Sequence, residues 1–266
     1  MSAQGQVRER FLREYGAIRH AEGRGSQDRE YYRALPFLDL SGKSPAMWRM
    51  RARTYRCFEK RILPSLERKA GRRLRILDLG AGNCWLSYRL ALRGHNVVAI
   101  DIFNDRLDGL GAASQYDAPI AAVEADFDQI PVGSGTFDLA IFNSSFHYST
   151  DYVATLQEVE RCLRPDGCFV ILDSPVYSRR EHGERMVAER HAQFQEKYGF
   201  RSDAMPSIEF LDLPAIRFLR RELQLEWQVI EPWYGWRWHL RPLQAWLRRK
   251  RQPSRFWIFT GRFCRP

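Results

Sequence analysis

The chain has 266 residues, 44% of them hydrophobic and 13% aromatic, which is ample for a core and excludes disorder along most of its length. No apolar run approaches the ~20 residues that span a bilayer, and Met1 to Arg19 lacks the apolar core of a secretory leader. The net charge of +10 divides into +11 over residues 1–75, −9 over 76–174, −1 over 175–216 and +9 over 217–266, so an acidic centre lies between basic flanks.

An acidic centre suits a cationic ligand, whereas basic flanks suit phosphate, nucleic acid, an anionic acceptor or a membrane surface. Because 37 of the 42 basic residues are arginine, solvated arginine faces account for the flanks more simply. Five cysteines, at 57, 84, 162, 168 and 264, contain no Cys-x-x-Cys pair and leave one unpaired in any full disulfide scheme. A cytoplasmic protein is expected.

In chain order, Val7 to Ala21 predicts a helix that Gly23 and Gly25 interrupt. A segment with Tyr31, Tyr32, Trp48, Arg49, Arg51, Arg53 and Tyr55 then predicts a short loop and a helix. Residues 1–73 are expected to form an N-terminal helical cap, or lid, ahead of one domain over 74–266. From Leu74 the pattern alternates: strand 75–80, helix 84–94, strand 96–102, helix 105–115, strand 120–125, strand 137–143, helix 151–163, strand 168–173. Apolar strands alternating with helices predict a parallel sheet covered on both faces. Ligands bind beyond the carboxyl ends of such strands, where Gly80, Asp101, Asp126 and Asn143 all fall. A charged helical insertion follows at about 175–207 and is expected to form part of an acceptor site with the cap. Residues 212–223 then predict a helix, and 225–231 and 255–263 two strands. Between these strands stand four tryptophans, from Trp233 to Trp246.

The run Arg75-Ile76-Leu77-Asp78-Leu79-Gly80-Ala81-Gly82-Asn83 is an apolar strand entering a glycine turn that opens a helix. Without a side chain, glycine lets the backbone approach a ligand closely. Asp101 ends the second apolar run 19 residues after Gly82, where a carboxylate accepts both hydroxyls of a ribose. A dinucleotide turn needs Gly or Ala three positions after Gly82, but Trp85 stands there, and no Gly-Lys-Ser/Thr of a phosphate loop follows. A ligand with a ribose and no phosphates remains, and S-adenosylmethionine, with its sulfonium and ammonium, fits that description.

On these residues, 75–174 resembles a class I S-adenosylmethionine-dependent methyltransferase of the small-molecule type 11 kind. The resemblance implies an α/β, Rossmann-like seven-stranded fold: a mostly parallel sheet with an antiparallel C-terminal hairpin and helices on both faces. It implies S-adenosyl-L-methionine as cofactor. Asp78, Gly80, Ala81 and Gly82 match the acidic-x-Gly-x-Gly turn that holds the methionine part, and Asp101, with Ile102 beside it, matches the ribose-binding acid. Glu124 to Pro131 and then Phe137-Asp138-Leu139-Ala140 resemble the third and fourth strands, which implies that Asp126 accepts from the adenine amine with the Phe127 backbone beside it. Asn143 completes the implied cofactor-binding set, and Leu163-Arg164-Pro165-Asp166-Gly167 matches the turn into the fifth strand. Cys84 departs from the pattern, standing where a third glycine is common, and leaves the path of the turn open.

Methyl transfer is an in-line displacement at a carbon already activated by the sulfonium, so the protein mainly aligns the partners. A base helps when the acceptor is a hydroxyl, a protonated amine or an acidic carbon. The run Asn143-Ser144-Ser145-Phe146-His147-Tyr148 ends the fourth strand over the expected methyl position. His147 is the expected catalytic base and Tyr148 a positioning or alternative acid/base group. The loop lacks the Asn/Asp-Pro-Pro-Tyr/Phe sequence with which resembling enzymes hold planar amines, which argues against methylation of the adenine amine. No carboxylate cluster points to a metal.

The expected activity is methyl transfer to a small aromatic or lipid-like acceptor, held between the insertion and the tryptophan-rich segment. Two alternatives stay open. One is an RNA methyltransferase that uses arginine for phosphates and aromatics for base stacking; the other is a non-catalytic S-adenosylmethionine-binding regulatory protein. Trp246 and Leu247 beside Arg248-Arg249-Lys250-Arg251 also permit peripheral contact with anionic membranes.

Overall fold

The computed structural model describes residues 3–264, so the outer ends of the two expected segments, residues 1–2 and 265–266, lie outside the described residues. Four helices precede the sheet: α1 (Ala3–Ala21), α2 (Arg29–Ala34), α3 (Pro45–Arg61) and α4 (Leu63–Ala70). Each boundary has a local cause. The Asp28 side chain accepts from the Glu30 N–H at the start of α2, proline near the first position opens α3 and α4, and Gly71 ends α4 in a left-handed conformation at φ 62°.

The sheet then builds through β1 (Arg75–Leu79), α5 (Trp85–Leu92), β2 (Asn96–Asp101), β3 (Ala121–Glu124), β4 (Phe137–Asn143), α6 (Tyr152–Cys162) and β5 (Leu163–Leu172). After it come β6 (Val176–Tyr177), α7 (Arg180–Tyr198), β7 (Leu211–Asp212), α8 (Leu213–Glu222), β8 (Leu225–Ile230), α9 (Trp236–His239), α10 (Arg241–Leu247) and β9 (Ile258–Phe263). The seven-stranded sheet has the order β3-β2-β1-β4-β5-β9-β8. The first five strands are mutually parallel, while β9 runs antiparallel to both β5 and β8, as the resemblance implies.

Both faces are covered, and for that reason β1 and β4 read as nearly continuous apolar runs, broken within by Asp78 and Asp138 alone. Ile76, Leu139 and Ile141 pack with Trp85 and Phe58 on one face; Leu77, Ala140 and Phe142 pack with Leu156 and Val159 on the other. Successive strand residues therefore serve two different cores.

Three local expectations change. Residues 105–115 are not an α-helix: only a 3-10 turn, Leu110–Gln115, forms. The Asp105 carboxylate accepts from the N–H groups of Leu107 and Asp108 at 2.8 Å each, and Gly109 and Gly111 approach the backbone of 103–106 more closely than a Cβ allows. A helical path would break that approach. Second, β5 starts at Leu163 rather than 168, with Leu163 opposite Phe137 and a register shift before Leu139. Third, the insertion carries β6 as well as α7, and β6 pairs in parallel with β7 just beyond the expected insertion, as a separate two-stranded sheet. Strands of two residues have no periodicity to read.

Candidate functional site

A cavity with about 1170 Å³ of atom-free space, its open mouth included, lies along the carboxyl ends of β1, β2 and β4. The turn after β1 forms its floor. Gly80 has φ 70° and Gly82 φ 53°, and a Cβ on Gly80 would collide with the Ser145 side chain. Cys84, in the place of a common third glycine, is itself left-handed at φ 62° and buried, so the turn keeps a left-handed residue at that place.

The N–H groups of the turn are committed to β2. Those of Gly80 and Ala81 donate to the Ile100 carbonyl at 2.8 and 3.0 Å, and that of Gly82 donates to Asp101 Oδ2 at 2.8 Å. These three donors are therefore occupied within the fold, and the turn presents bare glycine backbone to the cavity. Asp101 Oδ1 accepts from the Phe103 N–H at 2.8 Å, so each carboxylate oxygen holds one backbone donor. Each oxygen keeps a lone pair for a further donor, such as the hydroxyls of a vicinal diol. Burial raises the Asp101 pKa, and the two backbone donors and Arg19 oppose that rise.

Asp78 lies outside the cavity wall, fully buried beneath the turn. Ser87 Oγ donates to its Oδ2 at 2.6 Å, and its Oδ1 has no partner. Burial, reinforced by the charge of Asp101, pushes the carboxyl up to about 7, with Ser87 pulling the other way. Gly80, Ala81, Gly82, Asp101, Ile102, Asp126, Phe127 and Asn143 all line the cavity. Asp126 Oδ1 accepts from the Asp128 N–H at 3.1 Å, and Phe127 stands edge-on to Phe142 at 5.6 Å. Asn143 Oδ1 is buried without a hydrogen-bond partner, an acceptor ready for a ligand donor.

His147 and Tyr148 separate. Both sit on the 3-10 turn Phe146–Tyr148, but only Tyr148 lines the cavity. His147 is buried behind the wall, Nδ1 3.3 Å from Ser174 Oγ and its ring 4.5 Å from that of Tyr148. Burial, with the charges of Arg190 and Arg51, lowers its pKa to about 3. The imidazole is thus neutral and turned toward Ser174, a placement that removes it from direct contact with an acceptor.

Further wall residues come from the N-terminal helices. Phe11, Tyr15 and Arg19, spaced four apart on α1, all line the cavity, and this i, i+4, i+8 spacing was the available clue. The Arg19 guanidinium donates to the Tyr15 hydroxyl, stands 3.2 Å from Asp108 and lies over the Tyr15 ring. Burial works against its charge, but Tyr15 and Asp108 outweigh it and its pKa rises. From α3 come Trp48 and Arg51; Arg51 Nη2 reaches Ser144 Oγ at 3.4 Å. The insertion contributes Met205 and Ser207 from the loop after α7, not the helix itself. The tryptophan-rich segment contributes nothing to the wall: no residue from 233 to 257 lines the cavity, which overturns the expectation that it holds the acceptor.

The Asp101 carboxylate, the glycine floor and the orphaned Asn143 oxygen fit an adenosine-bearing ligand with a cationic end. Residues 77–171 match the family described as "Methyltransferase domain". Over 104 residues, 37% of this chain, the sequence is 33% identical to a dimethylglycine N-methyltransferase of Parasynechococcus marenigrum (strain WH8102), of which the match covers 36%. Over 99 residues, 37% of this chain, it is 28% identical to a malonyl-[acyl-carrier protein] O-methyltransferase of Erwinia pyrifoliae, again covering 37% of that protein. The chain thus spans little more than a third of the length of these curated relatives. The crystal structure of a protein from Pyrococcus horikoshii OT3 is similar in fold, with TM-score 0.53 and 18% identity over 88% of this chain and 99% of that one.

Proposed function

Because residues 77–171 form a class I S-adenosylmethionine-dependent methyltransferase domain, we propose that the chain methylates a small acceptor held in the cavity beneath α1 and α3. The observation that carries this reading is Asp101, at the end of β2, with each carboxylate oxygen steadied by one backbone donor and facing the cavity. When bound, S-adenosylmethionine supplies a methyl group already activated by its sulfonium charge.

In this reading Asp101 takes the ribose hydroxyls, the bare turn at Gly80 and Gly82 takes the methionine part, and Asp126 and Phe127 flank the adenine. Asn143 Oδ1 accepts from a donor of the cofactor or the acceptor. Tyr15, Trp48 and Tyr148 supply apolar, planar surface, which supports an acceptor with an aromatic or lipid-like body. The Tyr148 hydroxyl positions the acceptor and exchanges its proton, a role His147 does not have from behind the wall. By closing over the cavity, α1 excludes water, and exclusion of water strengthens every polar contact inside.

Titration calorimetry with S-adenosylmethionine, followed by a search of cell extracts for products heavier by one methylene, tests this proposal. Saturable binding with formation of S-adenosylhomocysteine is expected. Absence of cofactor binding overturns it.

A further inference from the structure

The end of the chain carries charge of one sign. From residue 232 to 266 there are nine basic residues and no acidic one. Within this stretch α9 and α10 run almost as one helix, because Leu240 between them keeps helical angles (φ −80°, ψ −10°) and the hydrogen-bond ladder continues through it. Leu240 N–H donates to the Trp236 carbonyl, Gln244 N–H to that of Leu240 and Arg248 N–H to that of Gln244, at 3.0, 3.0 and 3.1 Å.

Along this helix Trp236, Leu240, Leu243 and Leu247 follow at spacings of four, three and four, which places them on one stripe. All four are exposed, Trp236 by 76% and Leu247 by 67%, and Trp246 beside them by 73%. Of the thirteen exposed large hydrophobic residues among those described, six lie between 233 and 247. Arg237, Arg248, Arg249 and Lys250 are exposed alongside. The segment is nonetheless fastened to the body: the Tyr234 hydroxyl donates to the Phe256 carbonyl at 3.0 Å and meets Thr54 Oγ1 at 2.7 Å, and Arg241 donates to the Ser254 carbonyl at 2.8 Å. A firmly held ridge of tryptophan and leucine, flanked by cations and covered by none of the described residues, has the character of an interaction surface.

We propose that this ridge docks on an anionic lipid bilayer, with α9 and α10 lying in the headgroup plane. Charge complementarity selects that partner: Arg237, Arg248, Arg249 and Lys250 outnumber the nearby carboxylates Glu231 and Glu189, so the patch is drawn to a negatively charged leaflet, and two copies of it repel each other. The aliphatic residues separate lipid from nucleic acid, because Leu240, Leu243 and Leu247 have no stacking face for a base, while the acyl boundary accepts leucine and its interface accepts tryptophan. The chain then touches the membrane without crossing it, in keeping with the finding that no helix among the described residues is long and apolar enough to span one. The ridge lies on residues that do not line the cavity, so docking and methyl transfer are separable.

Sedimentation of the full chain with phosphatidylglycerol-containing vesicles and with pure phosphatidylcholine vesicles tests the proposal. Binding to the anionic vesicles alone is expected, weakening as salt is raised. Arg248→Gln with Arg249→Gln should lower partitioning about 25-fold, from about fivefold per basic residue near an anionic leaflet. Trp236→Ala with Trp246→Ala should lower it on the order of tenfold and remove the fluorescence quenching produced by brominated acyl chains. Both variants should melt like the parent by circular dichroism. Equal binding to neutral vesicles, indifference to both pairs of substitutions, or self-association or RNA binding in place of vesicle binding would each overturn the proposal.

Discussion

Tyr15 of α1 and Tyr148 of the turn after β4 stand edge to face, their ring centroids 6.1 Å apart and their planes at 88°. Residues far apart in the chain thus meet at one cavity, and a helix that lines it touches the group closest to the chemistry proposed for the site. Tyr15 also packs edge-on against Phe103 at 5.2 Å and receives the Arg19 guanidinium, so the contact is braced from both sides.

If Tyr148 exchanges a proton with the acceptor, Tyr148→Phe should lower kcat by about a hundredfold, the lower end of acid–base contributions, and leave cofactor affinity unchanged. Steady-state kinetics and calorimetry on the same sample separate the two. A kcat within twofold of the parent returns Tyr148 to a packing role.

Asp101→Ala should weaken S-adenosylmethionine binding about a hundredfold or more, because it removes two charge-assisted acceptors and leaves the Gly82 and Phe103 donors unpaired. Gly80→Val should abolish binding, since its Cβ meets Ser145 and its φ is 70°. Gly82→Ala should do less harm, for a Cβ there meets nothing within 4 Å and only the left-handed backbone resists it. Calorimetry on the three variants should rank the losses with Gly80→Val largest, Asp101→Ala next and Gly82→Ala smallest.

His147 predicts a pH dependence of stability rather than of turnover. Its folded pKa of about 3 lies below the ordinary 6.5, so the unfolded chain binds the proton first as pH falls. Its stabilising contribution is complete above pH 6.5 and is lost between 6.5 and about 3, at up to about 1.4 kcal/mol per pH unit. Urea titrations of His147→Gln across that window should show a flatter profile. An unchanged slope removes the assignment.

Asp78 acts in the opposite direction. Its folded pKa of about 7 lies above the ordinary 3.8, so between those values the unfolded chain ionises while the folded carboxyl keeps its proton. Stability falls as pH rises through that window and levels off above about 7. Asp78→Asn should flatten this fall when Tm is followed against pH, and a profile as steep as the parent's would contradict it.

Arg19→Met should destabilise the chain by about 3 kcal/mol, because it leaves Asp108 buried without its 3.2 Å partner. Replacing both, Arg19→Met with Asp108→Leu, should recover much of the loss. Urea unfolding of the two variants measures the difference, and equal destabilisation would show that the pair does not tie α1 to the core.

The sequence by itself determined the sheet and the floor of the site. Ile76 to Leu79 and Phe137 to Phe142 serve cores on both faces, so burial writes runs into them that are apolar except at Asp78 and Asp138, and these are legible in a short window. Gly80 and Asp101 are legible for a related reason: a left-handed turn and a carboxylate at a strand end are needs of the local backbone. Only the tertiary structure decided which of two adjacent side chains, His147 or Tyr148, faces the cavity, since the tight turn at Phe146–Tyr148 sends them to different sides. It also brought Tyr15, Arg19 and Arg51 to the wall of the site, dissolved the helix expected at 105–115 where two glycines press on neighbouring backbone, and left Trp233, Trp236 and Trp246 on the outside. Periodicity records that a residue is buried or exposed, but the identity of its neighbour depends on pairing across long stretches of chain, and no local window contains that.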